Sequence, residues 1–165
     1  MQKKNLDAFN DSHIKVPFVL PEITNEDKKA IMSTLNQNLL TDGPKLRIFE
    51  KEFAKFTGAK YAIGVSNATA ALHLSLKAIG IKKGDEVIVP DLTFVASANA
   101  ILVSGATPVI VDISKEDYNI SISSIENSIN KKTKAIMPVH FAGKPCKMNK
   151  IKAIASKHSL SVIED

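Results

Sequence analysis

The sequence is poor in cysteine and in aromatic residues. It has a single cysteine, Cys146, and no tryptophan, and aromatic residues make up 5% of its 165 residues. One cysteine forms no internal disulfide and has no second cysteine with which to hold zinc, so we expect neither a disulfide framework nor a metal site. No run approaches the ~18 consecutive apolar residues of a membrane span. The polar start MQKKNLDAFNDSHIK lacks the apolar middle of a signal peptide. We therefore expect a cytoplasmic protein without a membrane segment.

Arginine is nearly absent although the chain is basic. The formal net charge is +5, and of the 22 Lys and Arg residues only Arg47 is arginine. Nucleic-acid recognition favours clustered arginine with aromatic platforms, whereas these lysines are scattered along the chain. They are typical of a solvated surface, and we expect no nucleic-acid partner.

From about residue 61 onward, short apolar runs alternate with amphipathic stretches. Strands separated by helices of this length favour right-handed crossovers and a mostly parallel sheet with helices on both faces, so the predicted class is α/β. The predicted strands are Tyr61–Val65, Glu86–Val89, Thr107–Val111, Lys134–Val139 and Leu160–Ile163. The predicted helices between them are Thr69–Ile79, Phe94–Val103, Ile122–Ile129 and Met148–His158.

Two further helices are predicted upstream. Thr24 with the acidic residues after it resembles an N-cap and opens a helix to about Gln37. Pro44 and Gly58 bracket a second helix over Lys45–Phe56. Its apolar stripe, which we expect to pack in a core, consists of Ile48, Phe49, Phe53 and Phe56.

Ligands of open parallel sheets bind beyond the carboxyl ends of the strands, which directs attention to the residues that follow each strand. These segments are Ser66–Ala70, Asp91–Phe94, His140–Gly143 and Asp165. The small residues at 66–70 open a helix whose uncovered N–H groups suit an anion. Equally, Asn67 or Thr69 caps this helix and does nothing more.

The other candidates also have two interpretations. Phe94 either covers a flat bound ring or packs in the core. Asp165 either holds a protonated ring nitrogen or caps a following helix. His140 acts as an acid, a base or a ligand, or it is a structural histidine.

Five collinear motifs cover most of the chain: TDGPKLRIFEKEFAKFTG, VSNATAALHLSLKAIGIKKGDEVIVPDLTFVASANAI, GATPVIVDI, TKAIMPVHFAG and VIED. In this order and spacing they closely resemble the DegT/DnrJ/StrS family of sugar aminotransferases, from about Val16 to the last residue. The resemblance implies a fold-type-I enzyme dependent on pyridoxal 5'-phosphate (PLP), related to aspartate aminotransferase. Residues 1–57 would then be a helical segment of its large domain, and residues 58–165 the first part of the PLP-binding α/β region.

The resemblance also implies roles for individual residues. Thr69 and Ala70 match positions that hold the PLP phosphate through their amides and the Thr hydroxyl. Phe94 matches the aromatic residue that stacks on the ring, and Asp165 matches the aspartate at the ring nitrogen. A loop near the substrate is matched by Thr41, Asp42 and Gly43. His140 lies in a family motif without an assigned role, and the Schiff-base lysine is expected beyond Asp165, so we expect residues 1–165 alone to be inactive.

The activity implied by the resemblance is the transfer of an amino group, usually from glutamate, to a keto group of a nucleotide-linked deoxysugar. The implied enzyme is a homodimer, similar to perosamine synthetases, that serves surface polysaccharide or O-antigen synthesis. Two alternatives stay open. Some relatives on this scaffold dehydrate the sugar at C-3, and a truncated homologue would have no catalytic role.

Overall fold

The computed structural model describes residues 21–165, which divide into two compact units, one ending at Gly64 and one beginning at Val65. The first unit contains helices α1 (Asn25–Leu35) and α2 (Pro44–Thr57). Thr24 and Asp27 form a reciprocal capping box at the start of α1, where each side chain accepts the other residue's backbone N–H. Both upstream helices are therefore confirmed.

The apolar stripe of α2 is exposed, so the prediction that it packs in a core is wrong for this chain. Exposure is 57% for Ile48, 58% for Phe49, 48% for Phe53 and 88% for Phe56. An amphipathic helix buries its stripe only where a second apolar surface covers it. Among the described residues, both clusters of buried apolar side chains belong to the second unit.

The second unit is a parallel sheet between two layers of helices, which confirms the α/β class. The strand order is β2-β1-β3-β4, and every pairing is parallel. The elements in chain order are α3 (Ala68–Ala78), β1 (Glu86–Pro90), α4 (Ala96–Val103), β2 (Thr107–Val111), α5 (Ile122–Ser128), β3 (Thr133–Ile136), a short 3-10 turn (Phe141–Gly143), α6 (Met148–His158) and β4 (Ser161–Val162).

The central strand β1 buries alternate residues on opposite faces of the sheet. Val87 and Val89 belong to the cluster that contains residues of α3 and α4, whereas Ile88 belongs to the cluster with residues of α5 and α6. All three side chains are fully buried. This period of two is the signature of a strand covered on both faces, and each such side chain stabilises the fold by ~1.5–3 kcal/mol.

Residues 61–65 form no strand, so the strand predicted at Tyr61–Val65 is wrong. A strand requires a neighbour that accepts its backbone hydrogen bonds, and β-favouring side chains do not supply one. Here the Gly64 N–H donates to the Glu50 carboxylate at 2.8 Å instead. The segment at 66–70 therefore follows irregular chain. None of the helices within residues 21–165 is long and apolar enough to cross a membrane.

Candidate functional site

Asp165 is held in place by the backbone at the carboxyl edge of the sheet. Its N–H donates to the Pro138 carbonyl, and its carbonyl accepts the His140 N–H, both at 2.9 Å. The ladder between β3 and β4 therefore continues beyond the ends of both strands. Two hydrogen bonds to one neighbouring segment fix the direction in which the side chain leaves the backbone.

The Asp165 carboxylate is bound by a chain of two hydroxyl groups. Ser97 Oγ lies 2.6 Å from Asp165 Oδ2, and Thr93 Oγ1 lies 2.8 Å from Ser97 Oγ. The single Ser97 proton has three acceptors within reach, which are the Asp165 carboxylate, Thr93 Oγ1 and the Phe94 carbonyl at 3.2 Å. The shorter, charge-assisted bond to the carboxylate is the stronger one, so Ser97 donates to Asp165 and Thr93 donates to Ser97. The hydrogen bonds of the described residues engage only Oδ2 of this carboxylate.

The Phe94 side chain is exposed, and its backbone carbonyl lies near Ser97, which binds this carboxylate. Its side chain is 78% exposed, so the alternative that it packs in the core is wrong. The distance of 3.2 Å from Ser97 Oγ to the Phe94 carbonyl places the two residues at the same edge. An uncovered aromatic ring at the sheet edge that also carries Asp165 offers a face to a flat, nitrogen-containing ring.

Thr69 and Ala70 lie in the first turn of α3, which packs against α4, the helix that carries Ser97. Asn67 caps this helix: its Oδ1 accepts the Ala70 N–H at 2.9 Å. The prediction that Asn67 caps this helix is therefore confirmed, and the anion site at the helix start stays a prediction. The amides of Ala68 and Thr69 begin the helix and have no intrahelical acceptor, at the positive end of its dipole. An anion that uses the Ala70 amide as well has to displace the Asn67 side chain.

The His140 ring has a partner at each nitrogen. Its Nδ1 accepts the Cys146 N–H at 3.2 Å, so the proton of the neutral ring is on Nε2, which lies 3.1 Å from the Glu164 carboxylate. These two hydrogen bonds connect His140 to Cys146, just before α6, and to Glu164, next to Asp165. This arrangement supports the structural interpretation of His140. The nearby thiol of Cys146 is 6% exposed, and burial raises its pKa.

Asn119 fixes the turn that follows His140. Its Oδ1 accepts the Phe141 N–H at 3.1 Å, and its Nδ2 donates to the Lys144 and Pro145 carbonyls at 3.1 and 3.3 Å. The side chain is 2% exposed. Ala142 within the turn has a φ of 50°, a conformation that costs a non-glycine residue about 1–2 kcal/mol. The three bonds from Asn119 offset this cost.

Residues 41–43 lie in the first unit, directly before α2. Asp42 has a φ of 50° and pairs with Arg47 at 2.6 Å, with both side chains more than 60% exposed. Gly43 is the N-cap of α2, and a Cβ there would lie 2.8 Å from the Leu39 carbonyl oxygen. The role of Thr41, Asp42 and Gly43 near a substrate stays a prediction.

Sequence reasoning missed Ser97, and it included Thr93 only as a member of the segment Asp91–Phe94, without a role. Two hydroxyl residues four apart in TFVAS share one face of a helical turn, and this was the only local signal. Their partner, Asp165, is 68 residues from Ser97 in the chain, and only the sheet topology brings the two together. In residues 21–165 no group of three or more His, Cys, Asp or Glu side chains is placed to hold a metal ion.

Comparisons with known proteins agree on one family. The model of the DegT/DnrJ/EryC1/StrS aminotransferase family matches residues 21–165. The chain is 48% identical to the spore coat polysaccharide biosynthesis protein SpsC of Bacillus subtilis, over 91% of this chain and 39% of SpsC.

Two solved structures extend the comparison to the fold. An aminotransferase from Psychrobacter cryohalolentis is 44% identical with a TM-score of 0.85, over 90% of this chain and 38% of that one. NtdA from Bacillus subtilis, solved with bound cofactor PMP, is 40% identical with a TM-score of 0.81, over 86% and 34%. The chain thus spans less than two fifths of each of these proteins.

Proposed function

Because the chain belongs to the DegT/DnrJ/EryC1/StrS aminotransferase family, we propose that it forms the cofactor-binding part of a PLP-dependent sugar aminotransferase. The enzyme transfers an amino group from glutamate to a keto group of a nucleotide-linked deoxysugar. The relative SpsC carries spore coat polysaccharide biosynthesis in its name, which supports a product destined for a surface polysaccharide. We place the working enzyme in the cytoplasm, as a homodimer, with Thr41–Gly43 near the sugar.

One observation carries the proposal: the Asp165 carboxylate is fixed at the carboxyl edge of a parallel sheet and uses only Oδ2 within the described residues. A carboxylate oriented in this way is suited to a protonated pyridine nitrogen. PLP, when bound, supplies an electron sink when the substrate loses its Cα proton, and an ion pair at the ring nitrogen strengthens that sink. In our proposal the part of Asp165 is to keep the ring nitrogen protonated.

Other residues of the second unit are suited to the phosphate and the ring of PLP. A phosphate suits the start of α3, where the Thr69 amide and hydroxyl are available and the Ala70 amide becomes available once Asn67 moves. A flat ring suits the exposed face of Phe94. Phosphate, ring and ring nitrogen thus each have a partner of matching chemistry in one compact unit. The Schiff-base lysine, in our proposal, lies outside residues 1–165.

The test replaces Asp165 in the longest gene product that contains residues 1–165. Asp165→Asn keeps the shape but removes the charge, and a lost charge-assisted hydrogen bond of ~1.5–3 kcal/mol weakens PLP retention by more than tenfold. Amino transfer from glutamate falls further, since the electron sink is impaired. Asp112→Asn is the matched control, because Asp112 also follows a strand at this edge but is exposed, and within residues 21–165 its carboxylate accepts only the Ile113 N–H.

The result is read from equilibrium dialysis of PLP and from glutamate-dependent amination of nucleotide-linked keto sugars. Borohydride reduction followed by peptide mapping locates the lysine. Undiminished retention and turnover in Asp165→Asn would remove Asp165 from this role. A label on a lysine within residues 1–165 would contradict the placement of the Schiff base. Loss of the sugar C-3 hydroxyl without amination would identify a dehydratase, and a protein that binds no PLP would be the non-catalytic homologue.

A further inference from the structure

The hydroxyl of Ser97 has a place in the site that neither the family name nor the motifs assign. Ser97 is the second residue of α4, and its side chain is 1% exposed. It is nevertheless aimed at the Asp165 carboxylate, with 2.6 Å between Ser97 Oγ and Asp165 Oδ2. A buried hydroxyl is costly unless it is bonded, and this one is bonded to the charged group on which the proposed chemistry depends.

The local helix offers Ser97 an acceptor of the ordinary kind. The Phe94 carbonyl is 3.2 Å from Ser97 Oγ, the back-bonding geometry of a hydroxyl near a helix start. Ser104, at the other end of the same helix, uses this type of partner alone and donates to the Ala100 carbonyl at 2.8 Å. Ser97 differs because a carboxylate lies closer to its hydroxyl than the Phe94 carbonyl does, so its proton goes to Asp165 and its oxygen accepts a hydrogen bond from Thr93 Oγ1, 2.8 Å away.

We infer that Ser97, supported by Thr93, is a positioning residue: it holds Oδ2 of Asp165 so that Oδ1 is presented to the ring nitrogen of PLP. The inference rests on the proposed function. The backbone of Asp165 is already fixed by its hydrogen bonds with Pro138 and His140. The remaining freedom is rotation about the two side-chain torsions of Asp165, and the bond from Ser97 restricts this rotation. Without this bond the carboxylate turns toward other donors, including water, and the ring nitrogen loses part of its partner.

The test compares Ser97→Ala with Ser104→Ala in the PLP-loaded form of the longest gene product that contains residues 1–165. Both substitutions remove a buried hydroxyl from α4 or its cap, where Ser97 is 1% and Ser104 5% exposed. Two quantities are measured: the PLP dissociation constant, and the ¹⁵N chemical shift of the ring nitrogen of labelled PLP as a function of pH. We expect Ser97→Ala to weaken PLP about tenfold and to let the ring nitrogen lose its proton at a lower pH. Ser104→Ala is expected to change neither, and Ser97→Thr, which keeps the hydroxyl, to lie closer to the wild type than Ser97→Ala.

A double-mutant cycle separates positioning from simple stability. If Ser97 acts through the carboxylate, adding Ser97→Ala to Asp165→Asn changes PLP binding much less than the same substitution does alone, whereas independent effects add. Additive effects, or equal shifts in Ser97→Ala and Ser104→Ala, would overturn the inference. If Ser97→Ala does not fold, Thr93→Val provides the test, because it removes the hydrogen-bond donor to Ser97. An unchanged titration of the ring nitrogen in Thr93→Val would contradict the positioning role of Ser97. A wild-type protein that fails to bind PLP rejects the proposed function itself, while normal binding with an inert Ser97→Ala rejects only the role of Ser97.

Discussion

Replacing Asn67 by alanine sets helix capping against phosphate binding, because in our proposal both use the same amide. Asn67 Oδ1 accepts the Ala70 N–H at 2.9 Å, and Asn67 itself is exposed. The substitution therefore removes a cap without opening a cavity. Loss of an asparagine N-cap costs about 1 kcal/mol. For an m-value of ~1–3 kcal/mol/M this lowers the urea midpoint of the PLP-free protein by about 0.3–1 M.

Although Asn67→Ala lowers stability without cofactor, it should raise the affinity for PLP. In the wild type, phosphate at the Ala70 amide displaces the Asn67 side chain, so binding loses the cap energy. In Asn67→Ala there is no cap for the phosphate to displace. PLP should therefore bind this variant more tightly than the wild type by the same ~1 kcal/mol, which corresponds to a dissociation constant about fivefold lower. The assay is a PLP titration of each protein with the urea midpoint measured in the same buffer.

Ser121→Ala is the matched control for this experiment. Ser121 caps α5 by accepting the Ser124 N–H at 3.3 Å, and it contributes no amide to the proposed site. It should lower stability in a similar way and leave PLP affinity unchanged. If Asn67→Ala loses stability but binds PLP no more tightly than the wild type, the phosphate does not take the Ala70 amide from its cap, and the assignment of Ala70 to the cofactor is refuted.

Two further predictions concern groups outside the cofactor. Because burial raises the pKa of the Cys146 thiol, which is 6% exposed, iodoacetamide should label it slowly in the native protein and rapidly in urea; prompt native labelling would contradict this. The Gly64 N–H, aided by Arg47, lowers the pKa of Glu50. Its stabilising contribution is therefore complete above the ordinary glutamate pKa of about 4.3 and is lost as the pH falls through the lower folded-state value. Glu50→Gln should reduce stability at pH 7 more than Glu52→Gln does, and urea midpoints at pH 7 and pH 3 should show that this difference shrinks in acid.

The sequence predicted those parts of the fold that local patterns determine. Pro44 and Gly58 marked the ends of α2 within one residue, because a proline fits the first helical turn and a glycine tolerates the φ of 71° at its end. Residues 107–111 and 148–158 were predicted with the bounds that the structure shows, since each run has one clear period between turn residues. The strand at 61–65 failed because strand formation also requires a neighbour, which no local pattern reveals.

Site residues with a local sequence signal were likewise predicted, whereas those that depend on distant contacts were not. Asp165 and Phe94 were found because each lies within four residues after the end of a strand, and a search there needs only the positions of the strands. Ser97 was missed because its importance comes from a contact across 68 residues of chain. His140 had four open interpretations, and the one that gained support depends on the Cys146 N–H and Glu164, whose approach also requires the fold.

The two ends of the proposed cofactor site differ in how far they are organised before PLP arrives. At the ring-nitrogen end, Asp165 is held through its backbone by two hydrogen bonds and through its side chain by Ser97, so little has to move. At the phosphate end, the Ala70 amide is occupied by Asn67, so binding requires a side chain to leave. Side chains that are held in place before PLP binds favour tight and correctly oriented binding. A cap that has to be displaced lowers the affinity for PLP without changing the orientation of the bound cofactor. It follows that changes near Ser97 should alter the chemistry at the ring, and changes near Asn67 should alter the affinity for PLP without altering that chemistry.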